Sequence, residues 1–79
     1  MNSVQAMKNI KNAINGAPRN DYVAELHLQI IKYAEVLEGV TGKEFCEGVG
    51  IGISFGTEFA KMRKIAPRLR RAELDPAKI

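Results

Sequence analysis

Between Lys61 and Arg71 the chain carries six basic side chains and no acidic one: Lys61, Arg63, Lys64, Arg68, Arg70 and Arg71. Residues 1–60 hold five Lys or Arg against seven Asp or Glu, whereas residues 61–79 hold seven against two. A net charge of +3 therefore hides a local concentration that attracts polyanions whatever the fold. The bland alternative is a solvated helix end, where Lys and Arg complement the dipole. The spacing favours the first reading. At about 100° per residue, Thr57, Lys61, Lys64, Arg68 and Arg71 fall on one helical face. Phe55, Phe59, Met62, Ala66 and Leu69 fall on the opposite one. A helix packed by one face and presenting hydroxyl, Lys and Arg on the other fits a DNA major groove.

Other chemistry finds little support. His27 is the single histidine, and no spacing supplies further metal ligands, so a half-buried structural role is expected. Cys46 lies beside Phe45 on the apolar side of a short segment, with no base assigned to it, and reads as a packing residue. Glu35 and Glu38 share a helix face but have no pocket to separate their pKa values. The glycine run Gly48–Gly56 precedes a helix, which is an anion-binding arrangement. It lacks both the buried strand of a dinucleotide fold and the lysine of a P-loop. We therefore expect no enzyme, no metal and no cofactor.

Positioning the basic face requires a helical frame. A first helix is predicted over Ser3–Asn15, capped by Asn2 or Ser3 and stopped by Gly16, with Ala6, Met7, Ile10, Ala13 and Ile14 inward. A second is predicted over Asp21–Glu38, capped by Asn20 and ended by Gly39. Val23, Leu26, Ile30, Tyr33, Ala34 and Leu37 form its apolar arc, with Ile31, Ala24 and His27 as a smaller shoulder. Thr41 and Glu44 stand in capping-box spacing at the start of a third helix carrying Phe45, Cys46 and Val49. Gly48, Gly50 and Gly52 are read as its stop, and Ser54 as the N-cap of the fourth helix. A rival reading makes Val49–Phe55 a short strand, which three glycines weaken. Pro67 either ends the fourth helix near Ala66 or kinks it, with a resumption over Pro67–Leu74. Asp75-Pro76 is a stop, and Ala77–Ile79 is expected to fray. The expected core is Ile10, Ile14, Leu26, Ile30, Leu37, Phe45, Val49, Phe59 and Met62.

The layout of Thr41–Leu69 resembles a helix-turn-helix, of the small bacterial single-domain kind. Cys46 and Gly50 match the small residue about four positions before the turn glycine. Ile51 matches the apolar residue after it, and Ser54 with Thr57 the polar start of a recognition helix. The turn is about two residues longer than the tight form, and Glu58 stands where a packed aliphatic is usual. The resemblance implies DNA binding. Thr57 and Lys61 are then the candidates for base edges, with Ser54, Arg63, Lys64, Arg68, Arg70 and Arg71 for phosphates.

At 79 residues, with 46% hydrophobic and 27% charged side chains, the chain is expected to form one all-α domain of four helices. It has no apolar run of the roughly 20 residues that span a bilayer, and a lone cysteine allows no internal disulfide. A cytoplasmic, DNA-binding transcriptional regulator is the leading expectation. The alternative is a helical protein-interaction module, an adaptor or an inhibitor of a regulator, using the helix 2 shoulder and the basic helix. That shoulder also admits a homodimer.

Overall fold

The computed structural model describes residues 1–79 and contains four α-helices and no strand: α1 (Ser3–Asn15), α2 (Tyr22–Lys32), α3 (Gly42–Val49) and α4 (Gly56–Arg71). Short 3-10 turns occupy Arg19–Asp21, Ile53–Phe55 and Pro76–Lys78. α1 packs on α2 and α3, and α4 on α2 and α3. The four helices thus enclose one core of Ala6, Ile10, Ile14, Leu26, Ile30, Leu37, Phe45, Cys46, Val49 and Phe59.

The first and third helices begin as their sequences dictate. The Asn2 side chain accepts from the Gln5 amide at 2.9 Å. At α3 both halves of the capping box form: the Glu44 amide donates to Thr41 Oγ1, and the Thr41 amide to Glu44 Oε1. These bonds hold the Glu44 carboxyl below the usual carboxylate range, the Thr41 backbone amide contributing most. Gly50 ends α3 at φ +82, and the amides of Gly50 and Ile51 both return to the Cys46 carbonyl. Gly50 alone is the stop, because Gly48 lies within α3 and Gly52 takes φ −62.

Several expectations need correction. α2 is shorter than Asp21–Glu38. Asn20 belongs to the preceding 3-10 turn, and beyond Lys32 the backbone runs in irregular turns to Gly39, at φ +85. Those turns still bury Leu37 completely, so packing is satisfied without a regular helix. Val23 is 44% exposed, because the buried stripe of α2 is drawn toward Gln29, which is buried and donates to Glu25 at 2.7 Å. Met62 is half-buried against the core, not within it. No strand forms at Val49–Phe55. Ser54 does not cap α4: the helix starts at Gly56 without a side-chain cap, and the Thr57 hydroxyl donates to the Ser54 carbonyl at 2.9 Å. α4 neither ends at Ala66 nor resumes there. It runs through Pro67 to Arg71, although Pro67 has no amide to give the Arg63 carbonyl. The tail docks instead of fraying: Asp75 caps the last 3-10 turn, which packs on α2, and Lys32 Nζ donates to the Ile79 carbonyl at 3.4 Å.

Candidate nucleic-acid interface

What orients α4 is a contact between the first residues of two helices. Residues Gly50–Phe55 double back, so that α4 begins beside the start of α3. An ideal Cβ on Gly42 would lie 3.2 Å from the Gly56 Cα, a spacing that keeps Gly42 bare. One turn further along, Phe45 and Phe59 stack, with ring centroids 4.2 Å apart and planes 15° from parallel. Tyr22 of α2 meets Phe55 in a tilted contact at 6.2 Å. With Phe59 and Ala66 buried, the rotation of α4 about its axis is fixed.

That rotation decides which basic groups face solvent. Thr57, Lys61, Lys64, Arg68 and Arg71 are all exposed. On a regular helix they span about 80° of arc and about 21 Å of length, a continuous ridge. Ile65, 43% exposed, and Ala60 border it. Ser54 is exposed in the 3-10 turn just before α4. The structure thus brings Ser54, Thr57, Lys61, Lys64, Arg68 and Arg71 to the open side of one helix.

Two of the candidates are placed differently. Arg63 Nη1 donates to the Val40 carbonyl at 3.1 Å, and its guanidinium lies 5.3 Å from the centre of the Phe59 ring. Arg70 is ion-paired through Nη1 with Glu35 Oε1 on the turns that follow α2. Both side chains therefore hold the flank of α4 against the 33–40 segment. The HTH-like domain family matches the chain over residues 2–72. The chain belongs to that family. No curated protein and no solved structure matches it. The match takes in α1 and α2 as well as Thr41–Leu69, so all four helices are the family's unit.

Within this HTH-like domain, Glu58 finds a partner that sequence reasoning did not supply. His27 Nε2 of α2, shielded from water, lies 3.3 Å from Glu58 Oε2, as an electrostatic neighbour rather than an aligned hydrogen bond. The carboxylate is half-buried at the α2–α4 contact, where an aliphatic is usual. His27 is half-buried, in keeping with a structural role. Cys46 is buried with Sγ 3.9 Å from the Ile53 carbonyl, and burial pushes its thiol pKa up, the opposite of an activated nucleophile. No group of three or more His, Cys, Asp or Glu side chains is placed to hold a metal ion. No helix is long and apolar enough to cross a membrane.

A groove of about 460 Å³ separates the 34–38 segment from the far half of α4. Its floor is small, with Ala34, Ala66 and Pro67, and its walls carry Glu35 and Glu38 opposite the arginines. No residue pattern in the sequence announces it. It exists because α2 stops at Lys32 while α4 continues through Pro67.

Proposed function

We propose that this HTH-like domain is a non-enzymatic, cytoplasmic transcriptional regulator that binds double-stranded DNA with α4 in the major groove. One observation carries the reading. The basic residues of α4 without an internal partner, Lys61, Lys64, Arg68 and Arg71, form a single exposed ridge headed by Thr57. Thr57 and Lys61, near the helix start, face base edges: the Thr57 hydroxyl, whose proton goes to the Ser54 carbonyl, accepts from a base amine, and the Lys61 ammonium donates to a base acceptor. Lys64, Arg68 and Arg71 meet phosphates, and Ser54 meets one at the entry of the helix. Arg63 and Arg70 flank this set. No cofactor enters the mechanism. The test is binding to a mixed-sequence duplex at two salt concentrations, with wild type beside a Lys61, Lys64, Arg68 triple alanine variant. Binding in the micromolar range that weakens steeply with salt and collapses in the variant is expected. A folded wild type that binds nothing at low salt refutes the reading.

A second reading has its own support. Leu28 and Val23 leave apolar area of α2 exposed, at 47% and 44%, which suits a protein partner or a second copy of the chain. In that case the ridge meets an acidic protein surface, and sedimentation of the wild type with and without duplex separates the two readings.

A further inference from the structure

The ridge and the flank of α4 differ in one respect that bears on affinity. Arg70 is not free: its guanidinium is bound to Glu35, an exposed carboxylate on the opposite wall of the groove. Arg63 is likewise committed to the Val40 carbonyl and the Phe59 ring. Glu38 lines the same groove and is also exposed, yet it pairs with no arginine. On the helical wheel Arg63 and Arg70 lie about 120–140° from the middle of the ridge, next to the buried stripe, so Arg70 reaches the backbone of a duplex seated on the ridge only by swinging its long side chain off Glu35.

We propose that Glu35 is an intramolecular competitor for the DNA backbone, withholding Arg70 so that α4 brings four cationic side chains to the duplex and not five. This rests on the DNA-binding reading and sets its strength. An exposed ion pair is weak, so a phosphate can compete with the Glu35 carboxylate for the Arg70 guanidinium. Glu35 thereby tunes non-specific affinity downward without touching Thr57 or Lys61, which read bases. Anything that removes the Glu35 charge, or occupies it with a cation, adds a contact.

The counts differ enough to measure. Each neutralised phosphate adds about 0.9 to the slope of log affinity against log salt. Between about 50 and about 200 mM salt, four contacts lose about 150-fold in affinity and five about 500-fold. The experiment compares wild type, Glu35→Gln, Glu38→Gln, Arg70→Gln and the Glu35→Gln/Arg70→Gln double variant on a mixed-sequence duplex and on heparin. Wild type and Glu38→Gln should share the four-contact slope, and Glu35→Gln should bind tighter at low salt with the five-contact slope. The double variant should return to the wild-type slope. Equal effects of Glu35→Gln and Glu38→Gln overturn the proposal, because both remove one negative charge from the same wall. So does a Glu35→Gln gain that survives loss of Arg70. If the duplex fails to bind but heparin binds with these differences, the DNA reading falls and the Glu35–Arg70 competition stands. Failure of folded wild type on both probes overturns both.

Discussion

Truncating Phe59 to alanine tests the placement on which the whole interface depends. Phe59 is 2% exposed, stacked on the fully buried Phe45 and covered on its outer side by the Arg63 guanidinium. Removing a buried phenyl ring in such surroundings costs about 3–5 kcal/mol, transfer and cavity terms together. A double-mutant cycle against Phe45→Leu should assign about 0.5–1.5 kcal/mol of that to the ring pair itself. At about 0.05–0.15 kcal/mol per residue, a domain of this size has roughly 4–12 kcal/mol in all. One substitution therefore removes a large share, and the melting temperature should fall by about 15 °C or more. The chain has no tryptophan, so urea unfolding followed by far-ultraviolet circular dichroism is the assay. The midpoint should drop with the slope unchanged. A loss below about 1 kcal/mol would mean that Phe59 does not face the core, and the assignment of the ridge to the open side of α4 would fail with it.

Three other expectations are independent of DNA. Glu73 holds φ +69 just after α4, a left-handed position that favours glycine, so Glu73→Gly should raise stability by about 0.5–1 kcal/mol. A lower melting temperature would show that its side chain stabilises the helix end. Pro67 interrupts the hydrogen-bond ladder of a helix that continues past it, and Pro67→Ala should stabilise by about 2 kcal/mol; a decrease would show that the groove needs the ring. The Glu44 carboxyl is held below its ordinary pKa by Thr41, so its contribution is present above that ordinary value and is lost as pH falls through the lower, folded one. Wild type and Glu44→Gln should therefore converge in melting temperature on acidification, and a constant difference at all pH values would refute the link.

The groove and the pairs across it bear on how the domain is read as a binding surface. A count of basic residues over Lys61–Arg71 gives six cations, but Arg63 and Arg70 hold other parts of the fold, and the effective ridge has four. Glu58 shows the converse. Taken alone it opposes DNA; in the fold its carboxylate lies against His27 of α2 in the first turn of α4, where an acidic residue also complements the helix dipole.

The features legible in the sequence are those decided within a few residues. The span of α1, the Thr41–Glu44 capping box, the Gly50 stop and the opposition of Phe59 and Ala66 to Lys61, Lys64 and Arg68 all follow from bonds and periodicity over three to five positions. Such local rules are satisfied by the same residues in any compact setting, so they survive folding unchanged. The rest depended on partners far apart in the chain. Arg63 reaches Val40, 23 positions away, and Arg70 reaches Glu35 across the groove. α2 stops at Lys32 although no Gly or Pro stands before Gly39, because Leu37 is buried without a regular helix. α4 continues past Pro67 with Leu69 half-buried and Arg70 paired with Glu35 beyond it. Ser54 loses its capping role because the return of the loop to Gly42 sets the start of α4 at Gly56. Residue type and spacing fixed which face of α4 is basic; only the packing of α2 and α3 against it decided which of those charges remain free.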